Sequence, residues 1–379
     1  MYNYVIKNGR VYDPLKGFME NRDIYIENGR LKESFPGPEC QVIDAKGCYV
    51  APGFIDYHVH YFKGGAENGV NADAASFPCG VTTAVDAGTC GASSYEIFQK
   101  AVIDRSDVRL LAQLLVASGG QLTSRYTENL DPELMDVKRI KELFCTYPNT
   151  LTGLKIRLSA NIASPETAKA SLKKAVELGE ELGCNLVVHI TDPAMNLEKM
   201  ASILRKGDVI CHAYQNKGKE TILDRNKNVR EGILRARERG VLFDACNGKN
   251  NFDLKVAQTA IEQGFYPDII SSDVNTVSYY QGVLHSLPRV LSKYLTFGMS
   301  LERILDAAVL MPARLIGRED LASLKPGTEA DLVIFKVEER EITYRDWTDG
   351  INELKGHEMI VPQMTIKGGN VVYSQVYFG

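Results

Sequence analysis

Leu151-Thr-Gly-Leu-Lys-Ile-Arg157, the polar stretch Pro165–Gly183 and Asn185-Leu-Val-Val-His-Ile190 decide the fold. The outer two are short apolar runs of strand length. The middle one spaces Ala and Leu helically among Lys and Glu. A strand, a helix and a second strand in that order make a βαβ unit, and such units build parallel sheets. Working outward, the same alternation recurs. Candidate strands lie at Val50–Asp56, Val81–Ala87, Val108–Ala117, Leu151–Arg157, Asn185–Ile190, Asp208–His212, Val241–Ala245 and Asp268–Asp273, with a further polar helix at Lys227–Arg239. Eight units over about 250 residues predict a (β/α)8 TIM barrel. An open doubly wound sheet is the alternative, and the absence of GxGxxG after the first strand weighs against it.

The two ends of the chain differ from the middle. Residues 1–52 hold short β-type runs (Tyr4-Val-Ile6, Ile24-Tyr-Ile26, Gln41-Val-Ile43) separated by turn signals such as Asn8-Gly9 and Asn28-Gly29. Asp331–Phe335 and Met364–Tyr373 return to that style. The expectation is a small β-sandwich domain built from both termini, 1–52 and 321–379, around a barrel at 53–320.

Composition narrows the class. Of 379 residues, 44% are hydrophobic and 24% charged, ordinary for a globular chain, and the net charge of -4 predicts neither a nucleic-acid nor a membrane partner. No apolar run reaches membrane-spanning length, and the start MYNYVIKNGRVYD lacks a signal-peptide pattern. Eight scattered cysteines without a CxxC pair read as thiols of a reducing compartment, so a cytoplasmic location is expected, with homo-oligomerisation left open.

Histidine placement carries the chemistry. Four of six histidines fall at the C-terminal ends of candidate strands: His58, His60, His189 and His212. That is the barrel face where active sites form. His58 and His60 share one side of a strand, because side chains alternate with period two, and so offer two imidazole nitrogens together. An isolated HxH pair is equally a pair of ordinary histidines; four strand-tip histidines in one barrel are poorly explained by chance. Asp273 ends the eighth strand, as a metal ligand and proton carrier or as a helix N-cap. Lys155 sits among apolar neighbours, where a charged amine is costly. A neutral amine can take up carbon dioxide to form a carbamate that bridges two metals; the alternative is a lysine paired with an acid across the barrel. Arg157 shares a strand face with Lys155 and either clamps a substrate anion or pairs with a barrel acid. Tyr214 and Asn275 follow strand-end residues and either line the pocket or are plain loop residues.

Taken together these residues resemble the amidohydrolase superfamily. The set comprises Pro52-Gly-Phe-Ile-Asp56-x-His58-x-His60, a lysine on strand four, histidines on strands five and six, and an aspartate on strand eight. The tail Lys325-Pro-Gly-Thr-Glu-Ala-Asp-Leu-Val-Ile334 and the opening Ile6-Lys-Asn-Gly-Arg-Val11 are similar to that family as well. Gly80–Thr89 and Gly153–Arg157 resemble a bacterial amidohydrolase/deacetylase subgroup, some of whose members carry dihydroorotase or adenine deaminase labels. The resemblance implies two divalent ions, zinc being favoured by the ligand types. His58, His60, Asp273 and a carbamylated Lys155 would hold one; Lys155, His189 and His212 would hold the other. It also implies hydrolysis of an amide or ester, with Asp273 moving the proton. A small substrate is expected, bearing a carboxylate where Arg157 clamps it. Should Asp273 not carry the proton, the pocket histidines or solvent would, with His285 the nearest ionisable residue in sequence. Purine deamination, cyclic amide hydrolysis and a non-catalytic assembly role are the alternatives. One departure stands out. Ala245-Cys246-Asn247-Gly248 replaces a Gly-His-Gly-like turn, so a substrate contact at Asn247 is expected to differ.

Overall fold

The computed structural model describes residues 3–35, 37, 39–248, 251–280, 286–346 and 352–376. Seven strands run parallel in sequence order: Phe54–Val59, Val81–Gly91, Arg109–Leu115, Leu151–Arg157, Asn185–His189, Val209–Cys211 and Leu242–Asp244. Helices including Tyr95–Ala101, Val137–Thr146, Pro165–Leu182, Leu197–Ile203 and Glu231–Glu238 lie between them, and Leu254–Glu262 follows the last. Pro165–Leu182 shows why the local sequence folds so. Ser164 accepts the N–H of Thr167, Pro165 fills the first turn where no N–H is needed, and Ala168, Leu172, Ala175 and Leu178 form the buried stripe.

The eighth position departs from the expected strand. Residues 268–274 form no regular strand, yet they bridge both open edges of the sheet, Ile269 to Asp244 and Val274 to Val59. Side chains replace part of the missing ladder. The N–H and hydroxyl of Ser272 donate to Asp56, and the hydroxyl of Ser271 donates to Asp244. Burial pushes both aspartates up to about 7, and the serine hydrogen bonds work against that shift. The sheet thus curls into the TIM barrel, filled by Tyr57, Val85, Leu111, Val187, Val209, Cys211, Cys246 and Ile269.

The expected first strand, Val50–Asp56, is two strands. Tyr49–Pro52 pairs antiparallel with Leu332–Phe335, whereas Phe54 onward pairs with Val81 onward. One apolar run therefore serves two sheets, and it divides at Gly53, where a Cβ would meet the Thr82 side chain at 2.1 Å.

Both termini build the remaining sheets. One has four strands in the order Arg30–Lys32, Ile24–Glu27, Tyr4–Lys7, Gln41–Asp44. The other has six, from Asn370–Ser374 through Glu353–Lys367, Leu332–Arg345, Tyr49–Pro52 and Arg10–Asp13 to Phe18–Asn21. Ile6, Ile24, Ile26 and Leu31 of the first share a core with Val11, Val50, Leu332, Ile334 and Ile366 of the second. Glu329 and Asp331 of the tail motif accept from Arg109 on the third barrel strand and from Lys367, tying this sandwich to the barrel. Among the described residues no helix is long and apolar enough to cross a membrane.

Candidate active site

His58, His60, Lys155, His189, His212 and Asp273 come from four barrel strands and the closing segment, and they line one cavity of about 460 Å³. The alternation expected for His58 and His60 holds in space: their ring centroids lie 5.7 Å apart. Ligand-type atoms of His58, His60 and Asp273 all fall within 4.8 Å of one another, as do those of His189, Cys211 and His212. The centroids of His189 and His212 are 4.4 Å apart.

The backbone turns sharply where these side chains are presented. His212 and Asp273 have φ of 61° and 55°, in the left-handed region that non-glycine residues seldom occupy. Such strain, of order 1–3 kcal/mol each, persists where surrounding contacts over-determine it and gathers at functional sites.

Outer hydrogen bonds set the histidine tautomers. Thr89 donates its hydroxyl to Asp86 Oδ2, 2.9 Å, so its oxygen is free to accept from Nδ1–H of His60, 2.7 Å. Nδ1 of His212 lies 2.9 Å from the Cys246 carbonyl and donates to it. Both rings therefore turn an Nε2 lone pair towards the cavity. Burial lowers His58 and His189 well below the usual imidazole value and brings His212 to about 4, so these three are neutral at pH 7. Nδ1 of His58 is buried without a hydrogen-bond partner. Nε2 of His60 faces Asp273 Oδ1 at 3.3 Å; with Nδ1–H given to Thr89 in a neutral ring, both of these atoms are acceptors. A cation between them resolves that opposition, and neutral imidazoles beside a carboxylate are donors suited to zinc.

Lys155 is only 1% exposed. Its Nζ lies 3.1 Å from Cys211 Sγ and 3.5 Å from His58 Nε2, and no described carboxylate is within ion-pairing distance. The direct ion pair that would have explained a buried lysine is not formed among the described residues, although Asp244 acts on Lys155 electrostatically from across the barrel. Gly88 makes room for the lysine: a Cβ there would meet Lys155 Cβ at 2.7 Å, and its φ is +76°. Gly88→Ala is expected to lower the thermal unfolding midpoint, the backbone alone costing roughly 1–2 kcal/mol. It should also reduce activity by displacing Lys155, and thermal scans with turnover assays on the same preparation check both effects.

The expected substrate contacts divide. Arg157 and Asn275 line the cavity. Asn275 is also the cap of the following helix, its Oδ1 accepting from Val277 and Ser278. Arg157 Nη1 is paired with Glu128 at 3.1 Å. Tyr214 and Asn247 are corrected, since neither is among the described lining residues. Tyr214 is fully buried and donates to the Phe265 carbonyl at 2.9 Å, and Asn247 is buried and accepts from Lys293. His285 lies outside the described residues. The sequence reading missed Asn68, Gln121, Ser159, Thr191, Lys217 and Asn251, all on the cavity wall. Asn251 donates to Asp273 Oδ2 at 3.0 Å and accepts from the Thr191 hydroxyl at 2.9 Å. Loop polar residues carry no periodic signal, so only their position after strand ends marked them.

Comparison with known proteins follows the same lines. The profile described as Amidohydrolase family matches residues 49–372. A deacetylase from Agrobacterium fabrum is 28% identical over 340 residues, spanning 89% of this chain and 82% of that protein. A crystal structure titled as an adenine deaminase superposes with a TM-score of 0.89 at 26% identity, covering 99% of this chain and 100% of that one. Another, titled as a dihydroorotase, gives 0.88 at 25%, covering 100% and 99%.

Proposed function

From the premise that the chain belongs to the amidohydrolase family, we propose that it is a binuclear metal-dependent hydrolase that cleaves an amide or ester bond of a small, carboxylate-bearing substrate. The observation that carries this reading is the cavity wall. Six groups of metal-ligand or carbamate-forming type share it, and among the described residues its remaining lining is polar or charged: Asn68, Gln121, Arg157, Ser159, Asn161, Thr191, Asp192, Lys217, Asn251 and Asn275. A flat purine base draws its affinity from apolar and aromatic contact. This wall supplies none, which favours a small polar acyl substrate over the deamination suggested by one structural neighbour.

His58, His60, Asp273 and a carbamate on Lys155 would hold one ion, and that carbamate with His189 and His212 the other. Bound divalent ions, zinc by donor type, supply Lewis acidity and lower the pKa of water towards neutrality. The chain's own groups do the rest. Asp273, oriented by Asn251, takes the proton of the attacking water and returns it to the leaving nitrogen or oxygen. Thr89 and the Cys246 carbonyl hold the His60 and His212 rings in the tautomers that present Nε2. The polar wall orients the substrate.

The test is a panel of N-acyl amino acids, O-acyl hydroxy acids, cyclic ureides and purines offered to the protein purified with zinc. Acyl release from the first two groups is expected. Ammonia release from adenine with no acyl hydrolysis would replace this reading by deamination.

A further inference from the structure

Besides imidazoles the cavity carries three cationic side chains, Lys155, Arg157 and Lys217. Lys155 lies buried between His58 and Cys211. Arg157 was the anion clamp expected from sequence, but Glu128, itself 3% exposed, already takes its guanidinium at 3.1 Å. Its charge is neutralised from within the chain. Lys217 differs. It is half-buried, and no described carboxylate is within ion-pairing distance of its ammonium. Asp192, the acid on the same rim, sets its carboxylate beside Gly218 instead.

The loop that carries Lys217 is built rather than loose. Gln215 is fully buried, and its Oε1 accepts the N–H of Lys217 at 2.7 Å and that of Asp192 at 3.4 Å. Its Nε2 donates to the Glu220 carbonyl at 2.8 Å. One buried amide thus joins two rim loops and fixes the backbone from which Lys217 reaches the cavity. An unpaired ammonium carried on that fixed backbone into a polar cavity is a site for an anion, because a charge-assisted hydrogen bond forms there without first breaking an ion pair.

Resting on the hydrolytic reading above, we propose that Lys217 is the specificity-determining residue that binds the substrate's carboxylate. The substrate class is then an acylated amino or hydroxy acid with its carboxylate free, and neutral esters or amides of the same acids are poor substrates.

Calorimetric titration with lactate and with lactamide tests this without turnover, on protein purified with zinc and on the metal-stripped protein. Wild type is expected to bind lactate about 10- to 100-fold more tightly than lactamide, the scale of one hydrogen bond to a charged group. Lys217→Gln should bring the two to parity by weakening lactate alone, and Lys217→Arg should restore the preference. In turnover the same loss should fall on KM and leave kcat near wild type. A preference that survives in Lys217→Gln, or none in wild type, overturns the proposal. The outcome for hydrolysis is separate. Acyl hydrolysis without a carboxylate preference rejects Lys217 alone, whereas a binding preference without hydrolysis of any acyl substrate rejects the hydrolytic reading alone.

Discussion

Asp273→Asn is expected to lower turnover by about 10²- to 10⁴-fold, the usual worth of a positioned proton transfer, with substrate affinity less affected and the fold unchanged. The two carboxylate oxygens of Asp273 have different partners. Oδ2 accepts from Asn251, whose own oxygen is held by the Thr191 hydroxyl, so the donor cannot simply rotate away. Oδ1 faces His60 Nε2 at 3.3 Å. Asparagine keeps the volume and one oxygen but cannot accept a proton. The orientation that suits Asn251 also turns the new NH2 towards His60, so metal content must be measured on the same preparation as kcat. A second consequence concerns pH. The acidic limb of the rate profile reports protonation of the coupled unit around Asp273 rather than of one isolated group, and it should change in the variant. Near-wild-type turnover in a metal-replete Asp273→Asn protein would refute the proton-carrier role.

Lys155→Ala should be the more damaging change, lowering activity by at least roughly 10³-fold, because several kcal/mol of charge stabilisation depend on correctly held ions. Lys155 is buried, makes no direct ion pair with a described carboxylate and sits against His58 and Cys211. A bare ammonium so placed is costly, since unpaired buried charge carries a penalty of several kcal/mol. Carbamylation would remove that cost, because the nitrogen would become neutral and the new anionic group would face ions held by His58, His60, His189, His212 and Asp273. The expected signature is partial rescue of Lys155→Ala by acetate or propionate, whose carboxylate enters the space left by the side chain. Labelled carbon dioxide followed by carbon NMR should show a carbamate in wild type and none in the variant. An unmodified amine in metal-loaded wild type would defeat the carbamate while leaving the fold intact.

Much of this site was legible in the sequence because barrel strands impose simple rules. Period-two alternation put His58 and His60 together, strand ends put His189 and His212 at the mouth, and an apolar run around Lys155 marked it as buried. What escaped the sequence depends on contacts that local pattern does not encode. Arg157 meets Glu128 through a loop, so its two readings were indistinguishable until the pairing was seen. Tyr214 follows His212, whose left-handed backbone redirects the chain, and the ring ends up buried against Phe252 with its hydroxyl on Phe265. The run at residues 50–56 reads as one strand because both its halves are apolar, and only the partners Leu332–Phe335 and Val81 divide it. Residues 268–273 read as a strand, but their serines bond to buried aspartates in place of a regular ladder.

Metal analysis of the purified chain tests the central claim most directly. After growth with added zinc the protein should hold close to two divalent ions per chain, and His58→Ala or His60→Ala should hold fewer and lose activity. Wild-type protein that carries no divalent metal under those conditions, yet is folded, would contradict the account.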